Sequence, residues 1–260
     1  MCCPICRHGR RCRRRRDWWE CEDCGSSFRS PTPSQDELDR YYEDAASSAK
    51  RPLCATTPPL ARQYAQLIQG AVGDLEWQGS RVLDYGAGSG ELSSWLLTLG
   101  AEIVPVEPYG SRPSSEKGTE TLRSLAELEG GDAFDGIVMT EVIEHVREPV
   151  RVLRDLRSHL KKDGWIFVTT PNNESLKARL LRGRWSERRK FGHLYLFSRR
   201  GLELSLSAGG FGRVFACQGR VSFATSKSRS LMQYLLQQLH LDGQLRVMGW
   251  NNEGGPGLGE

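Results

Sequence analysis

The sequence contains no long apolar segment. Hydrophobic residues make up 38% of its 260 residues and the mean hydropathy is −0.50, so no stretch approaches the roughly 20 apolar residues that a membrane-spanning helix requires. The first residues lack the apolar core of a secretory signal, and no internal repeat is visible. We therefore expect a cytoplasmic protein without membrane insertion, with one sizeable α/β core and a small accessory module.

The net charge is small because two basic segments offset an acidic remainder. The formal net charge is +4. Residues 1–30 contain eight arginines against four acidic residues, and residues 177–200 contain nine lysines or arginines against Glu187 alone. Basic charge concentrated in this way predicts anion contacts at two places and argues against a general nucleic-acid-binding surface.

The cysteines indicate metal ligation. Eight cysteines in a chain expected to be cytoplasmic favour metal binding over disulfides. Two Cys-x-x-Cys pairs, fourteen residues apart, supply four candidate zinc ligands, Cys3, Cys6, Cys21 and Cys24. The alternative is a disordered arm with reduced thiols, and either Cys2 or Cys12 can replace a ligand of the first pair. We predict a zinc ribbon over residues 1–30.

An arginine-rich stretch and two tryptophans lie between the cysteine pairs. Basic residues beside Trp18 and Trp19 can bind a phosphate backbone and stack on bases. Alternatively, the tryptophans attach the small ribbon to the main domain while the arginines remain solvated. We favour attachment, because a ribbon of this size has no core of its own.

Residues 31–78 read as a linker and a helical lead-in. Pro31 marks the linker, and the pattern predicts helices over 37–43 and 60–72. Tyr41, Tyr42 and Tyr64 lie on or near these helices and either pack between helices or form a lid over a substrate site.

Short apolar strands alternate with helical segments from residue 81. The pattern predicts strands over 81–85, 101–106, 136–140 and 165–170, a weak strand over 119–122, and helices over 92–99 and 150–160. This alternation predicts an α/β domain over residues 79–225 with a doubly wound, mostly parallel sheet. We expect residues 226–260 to form a C-terminal helix and tail.

A glycine-rich turn follows the first of these strands. Gly86, Gly88 and Gly90 allow the backbone to approach a ligand closely at the start of a helix. Asp84 before the turn would repel a pyrophosphate and attract an ammonium group. Glu107 closes the next strand, where a carboxylate can accept both hydroxyls of a ribose.

Several motifs in order resemble class I S-adenosylmethionine-dependent methyltransferases. They comprise residues 82–90, 106–109, 134–146, 160–172 and, more weakly, 193–198 with 209–211. The resemblance implies a Rossmann-like methyltransferase fold with S-adenosylmethionine as cofactor. It assigns the methionine end to Asp84, Gly86 and Gly88, the ribose to Glu107, and adenine to Tyr109 or Leu125. The cofactor-binding set implied by these motifs also includes Ala87, Pro108 and Thr140.

Three ligating side chains follow the strand over 136–140. If a helical turn begins there, Glu141, Glu144 and His145 share one face. Such a set suits Mg²⁺ or Mn²⁺, with His193 as a further ligand. The trio resembles the site of ubiquinone-biosynthesis O-methyltransferases and of small-RNA 3′-terminal 2′-O-methyltransferases. The alternatives are a metal-free enzyme with His145 or His193 as base, and a purely structural role.

These patterns lead to an expected activity. We expect O-methylation of a small or carrier-linked metabolite such as a sugar nucleotide, glycan or natural-product intermediate. The basic residues before His193 favour a phosphate-bearing or otherwise anionic acceptor, namely Lys177, Arg179, Arg182, Arg184, Arg188, Arg189 and Lys190. The alternatives are an RNA 2′-O-methyltransferase that uses the arginine-rich ribbon and an inactive cofactor-binding scaffold. The intact glycines, Glu107 and His145 argue against the scaffold.

Overall fold

The computed structural model describes residues 3–6, 11–47, 58–109, 120–128, 133–217, 235–239 and 241–252. The strands in these residues are β1 (Cys12–Arg15), β2 (Trp18–Cys21), β3 (Ser27–Arg29), β4 (Arg81–Tyr85), β5 (Glu102–Val106), β6 (Phe134–Thr140), β7 (Leu160–Pro171), β8 (Tyr195–Leu196), β9 (Arg213–Ala216) and β10 (Gln244–Trp250). The helices are α1 (Gln35–Ser47), α2 (Pro58–Val72), α3 (Glu91–Thr98), α4 (Pro149–Ser158), α5 (Leu176–Leu181) and α6 (Arg199–Ala208).

Six strands form the central sheet, in the order β5-β4-β6-β7-β10-β9. The pairs β4–β5, β4–β6 and β6–β7 are parallel, whereas β10 is antiparallel to both of its neighbours. The prediction of a mostly parallel α/β sheet is therefore confirmed. No helix in the described part of the chain has both the length and the apolar character needed to cross a membrane.

The strands are apolar on both faces because helices cover both sides of the sheet. Along β4 and β6, successive side chains alternate between two hydrophobic clusters, so that Leu83 and Ile137 belong to one and Val82 and Val138 to the other. The first cluster includes residues of α4 and α6, and the second includes residues of α2 and α3. The strand ends thus remain the uncovered edge at which a ligand site can form.

Two regions differ from the sequence expectations. The weak strand expected over 119–122 is reduced to one bridge between Leu122 and Val106, and residue 119 lies outside the described residues. Residues 244–250, which we assigned to a C-terminal helix and tail, form β10 inside the sheet. The methyltransferase sheet therefore extends beyond residue 225, because β10 pairs along its whole length with β7.

The N-terminal ribbon, here residues 3–6 and 11–30, packs directly on the main domain. Its strands β1, β2 and β3 form a second sheet to which the main domain contributes β8. Trp18 is only 5% exposed, and its ring lies beneath the guanidinium groups of Arg29 and Arg188. This arrangement agrees with attachment of the ribbon through Trp18 and removes that ring from stacking on bases.

Replacing Gly136 by Ala should destabilise the fold. A Cβ at this position would lie 2.1 Å from Cζ2 of Trp165 on β7, and overpacking of this kind costs about 1–3 kcal/mol. The matched control is Gly70→Ala in α2, where a Cβ meets nothing within 4 Å and helix propensity should add about 0.5–1 kcal/mol. Urea denaturation measures both, and equal effects of the two substitutions would contradict this account of the sheet.

Candidate active site

A cavity of about 980 Å³ opens at the carboxyl ends of β4, β5 and β6. Residues that follow each strand line it, including Gly86 after β4, Glu107 after β5 and Glu141 after β6. Side chains of α1 and of residues 186–193 line the rest. This is the position at which open parallel sheets bind their ligands.

The turn after β4 requires glycine. Gly86 has φ +79°, in the left-handed region, and a Cβ there would lie 2.3 Å from Cγ2 of Val142. The amides of Gly86 and Ala87 both donate to the carbonyl of Val106, at 2.8 and 3.1 Å. The turn is therefore held against the end of β5 and leaves room for a ligand close to the backbone.

Glu107 is a buried carboxylate at the cavity wall. Its two oxygens accept hydrogen bonds from the backbone amides of Gly88 and Tyr109, at 2.8 and 3.0 Å. Burial raises the pKa of Glu107, and these two N–H groups oppose the rise. Each oxygen keeps a lone pair, so the carboxylate can also accept two ribose hydroxyls.

Most of the sequence-predicted cofactor residues meet in the cavity. Those lining it are Gly86, Gly88, Glu107, Pro108, Tyr109 and Thr140. Asp84, Ala87 and Leu125 are not among the described lining residues. Asp84 is instead buried and accepts a hydrogen bond of 2.6 Å from Ser93 of α3, and burial raises its pKa to about 6. Leu125 packs against the apolar core.

The loop after β6 does not begin as the expected helical turn. Glu141 has φ +57°, and only Ile143–His145 forms a short 3₁₀ turn. Glu141 therefore leaves the shared face and accepts a hydrogen bond of 2.9 Å from Gln244 of β10. Burial and the charge of Glu144 raise the pKa of Glu141 to about 8. Glu141 is therefore bonded to β10 and does not share a helical face with Glu144 and His145.

Glu144, His145 and His193 do come together. One potential ligand atom from each lies within 4.8 Å of the others. Glu144 is buried on the 3₁₀ turn, and Thr170 donates to its Oε2 at 2.8 Å. Within the described residues, Glu144 Oε1 and His193 Nδ1 are buried without a hydrogen-bond partner. We refer to these three side chains as the Glu–His cluster.

The cluster's polar groups are strongly desolvated. Burial raises the pKa of Glu144 to about 7 and lowers the pKa of His145. Burial and the neighbouring His145 lower the pKa of His193 to about 2. Both imidazoles are therefore neutral near pH 7, the form that ligates metals or accepts protons.

Hydrogen bonds fix which nitrogen of His145 carries the proton. Its Nδ1 lies 2.9 Å from the carbonyl oxygen of Gly192 and 2.7 Å from the hydroxyl of Tyr42. The carbonyl can only accept, and the Tyr42 hydroxyl donates to the same carbonyl at 3.2 Å, so both contacts favour a proton on Nδ1. Nε2 then keeps its lone pair and lies 3.7 Å from Glu144 Oε1.

Sequence reasoning did not assign Tyr42 to this site. The hydroxyl of Tyr42 reaches His145, and its ring stacks on Tyr109 with 4.9 Å between centroids. The sequence places Tyr42 on a helix that precedes the α/β domain, but helix packing was at least as good an explanation of this residue as a lid over the substrate site. Tyr64, by contrast, is buried in α2 and hydrogen-bonds Gln244.

The fold and cavity define an α/β enzyme of the class that holds a nucleoside-containing cofactor at its strand ends. The family described as "Methyltransferase domain" matches residues 59–214, more than half of the chain, and the chain belongs to that family. The matched residues form a domain with the class I S-adenosylmethionine-dependent methyltransferase fold. Both the fold prediction and the enzyme prediction are therefore confirmed.

Curated relatives are similar in sequence to this chain, and solved structures share its fold. Ubiquinone biosynthesis O-methyltransferases of Xanthomonas axonopodis pv. citri and Bordetella avium are each 30% identical, over 53% of this chain and 62% and 61% of the relative. The chain thus spans less than two thirds of those relatives. The fold is similar to that of Burkholderia thailandensis 1,6-didemethyltoxoflavin-N1-methyltransferase, solved with S-adenosylhomocysteine (TM-score 0.58, 16% identity, 86% and 95% of the two chains). It is also similar to Synechocystis magnesium protoporphyrin IX methyltransferase (TM-score 0.53, 14% identity, 84% and 99%).

Replacing Glu107 by Ala should weaken cofactor binding. The change removes the predicted acceptor for two ribose hydroxyls and leaves the amides of Gly88 and Tyr109 without their partner, a loss of about 1–3 kcal/mol. Calorimetry with S-adenosylhomocysteine should therefore show a 5- to 150-fold rise in Kd. Glu102→Ala, on the exposed start of the same strand, is the control. An unchanged Kd in Glu107→Ala would refute the placement of the ribose.

Proposed function

We propose that this methyltransferase acts on a hydroxyl oxygen of a small or carrier-linked metabolite. The supporting observation is the Glu–His cluster in the same cavity as Gly86 and Glu107. S-adenosylmethionine, when bound, supplies an electrophilic methyl group. The residues of this chain then have to align the acceptor and take its proton. The similarity to ubiquinone biosynthesis O-methyltransferases also supports transfer to oxygen.

The unprotonated Nε2 of His145 is the group best placed to take that proton. The Gly192 carbonyl and the Tyr42 hydroxyl hold the ring from the Nδ1 side. Glu144, whose Oε1 lies 3.7 Å from Nε2, stabilises the imidazolium that results. Base and orienting groups in this order make a general-base arrangement.

A divalent cation fits the same cluster. Glu144 Oε1 and His193 Nδ1 are buried and unpartnered among the described residues, and an ion between them would satisfy both. One carboxylate and two imidazoles suit Mn²⁺ better than Mg²⁺, which prefers oxygen ligands. Glu144, His145 and His193 would hold the ion, which would lower the pKa of an acceptor hydroxyl. Glu141, tied to Gln244, is left out of this ligand set.

The cavity rim supports an anionic acceptor. Arg147, Arg189 and Lys190 line the cavity and are exposed. Lys190 Nζ lies 2.5 Å from Glu187, so the two arginines are the better candidates for a phosphate or carboxylate of the acceptor. The buried Trp18 makes an RNA acceptor the weaker alternative, because base stacking needs an accessible ring.

The four ribbon cysteines fit a structural zinc ion. The sulfur atoms of Cys3 and Cys24 lie 3.9 Å apart, and those of Cys6 and Cys21 lie 3.7 Å apart. Tetrahedral coordination at about 2.3 Å per Zn–S bond gives sulfur separations of about 3.8 Å. The ribbon geometry therefore supports the zinc site.

Substitutions in the cluster should distinguish a metal site from a histidine base. Turnover is followed as S-adenosylhomocysteine release with a panel of catechol, sugar and ribonucleoside acceptors. We expect at least a 100-fold loss of turnover in His145→Ala and in His193→Ala, with cofactor affinity unchanged. His159→Ala, at the residue that follows α4, is the neutral control. Loss of turnover in EDTA with recovery in Mn²⁺ identifies the metal enzyme, and indifference to EDTA identifies the base. Near wild-type turnover in the double variant would overturn both.

Elemental analysis should find about one zinc per chain. Cys21→Ser removes one of four thiolate ligands and should abolish binding, because structural zinc needs its full coordination shell. Cys12→Ser, which faces Cys21 across the β1–β2 hairpin, should keep the metal. Zinc-free protein with a folded ribbon would contradict the assignment, and zinc loss in Cys12→Ser would change the ligand set.

A further inference from the structure

The ribbon contacts the segment that carries His193. We propose that the ribbon is a positioning module for the acceptor half of the active site, and that Arg29 is the positioning residue through which it holds His193. This inference rests on the role proposed above for His193. Within the described residues, no ribbon side chain lines the cavity, so the ribbon acts through the backbone that it contacts.

Backbone pairing aligns the ribbon with the segment that follows His193. Strand β3 pairs with β8, with Ser27 opposite Leu196 and Phe28 opposite Tyr195. The amide of Arg29 continues this pairing and donates to the carbonyl of Leu194 at 2.9 Å. The register of β3 therefore fixes the chain up to the residue next to His193.

The guanidinium of Arg29 extends this contact across His193 itself. Its Nε donates to the carbonyl of His193 at 3.2 Å, and its Nη2 donates to the carbonyl of Lys190 at 3.0 Å. One planar side chain thus spans residues 190–193. The Gly192 carbonyl, which accepts from Nδ1 of His145, lies within this span. Arg29 therefore holds both His193 and the group that sets the tautomer of His145.

A second contact anchors the other end of the segment. The indole Nε1 of Trp18 donates to the carbonyl of Arg188 at 3.2 Å. The guanidinium of Arg188 in turn donates to Glu20 and Ser27 of the ribbon, both at 3.0 Å. On the opposite side, the amide of Leu194 donates to the carbonyl of Glu144 at 2.8 Å. The segment is held between the ribbon and the Glu–His cluster.

These contacts predict that the acceptor side of the cavity changes while cofactor affinity does not. The amide of Gly86 donates to Val106 at the end of β5, and Glu107 accepts from the amides of Gly88 and Tyr109. None of these hydrogen bonds involves the ribbon, so loss of the ribbon contact should leave cofactor affinity unchanged. The His193 ring should lose its fixed position, and His145 should lose its preference for the Nδ1–H tautomer. Removal of the proposed zinc from the four cysteines should act in the same direction, because β3 begins only three residues after Cys24.

Arg29→Ala tests the inference without any acceptor. Long-range ¹H–¹⁵N spectra of protein labelled at histidine report the tautomer of each ring. We expect His145 to change from the Nδ1–H form to a mixture of tautomers, while S-adenosylhomocysteine binds at one site per chain with a Kd within twofold of wild type. Ethylguanidinium added to Arg29→Ala should restore the Nδ1–H signal. Arg14→Ala, an exposed arginine on β1, should change nothing.

Two outcomes would overturn the inference. Histidine signals that stay unchanged in Arg29→Ala would show that the segment keeps its place without Arg29. If Arg29→Ala does not fold, Arg29→Lys is measured in the same way, and a wild-type spectrum there has the same meaning, since one ammonium cannot reproduce the planar two-donor contact. Failure of the proposed O-methylation would be distinguishable from these outcomes. In that case the wild-type protein would show no turnover with any acceptor, while its histidine spectrum would still show the Nδ1–H form of His145.

Discussion

Because Gly86 approaches Val142 closely, the carboxyl ends of β4 and β6 border the same cavity. Gly86 belongs to the turn after β4, and a side chain there would overlap with the valine that follows β6. Since no side chain intervenes, the turn that faces the cofactor and the loop that carries Glu144 and His145 share a wall. A side chain at position 86 would push the turn after β4 away from Val142 and from the loop that carries Glu144 and His145.

Tyr109 links the cofactor half to the acceptor half. Its backbone amide donates to Glu107, whereas its ring stacks on Tyr42 and its hydroxyl donates to Asp39 of α1 at 2.5 Å. Tyr42 in turn reaches His145. A chain of direct contacts therefore leads from the Glu107 carboxylate through Tyr109 and Tyr42 of α1 to the His145 imidazole. Helix α1 is thus part of the active site, although it precedes the matched family region.

The parts of this enzyme that depend on local sequence could be predicted, and those that depend on distant partners could not. The parallel strands and the glycine turn follow from apolar alternation and from backbone freedom within a few residues. The helical turn expected at Glu141 does not form there, and its carboxylate is bonded to Gln244, which lies 103 residues away in the sequence. The same long-range pairing concealed β10, since nothing local in residues 244–250 reveals that β7 and β9 flank them.

Neighbouring basic residues differ in burial, so some form structural hydrogen bonds while others stay exposed to solvent. Arg188 and Arg189 are adjacent in sequence, yet Arg188 is bonded to Glu20 of the ribbon and Arg189 lines the cavity. Arg29 is likewise engaged by backbone carbonyls, whereas Arg14 on β1 remains exposed. Formal charge counted along the chain thus overstates the field available to an incoming anion, because paired and buried guanidinium groups contribute less of it. At the cavity rim, Arg147 and Arg189 stay exposed, so an anion entering the cavity would meet these two guanidinium groups and not the full charge of the basic segment.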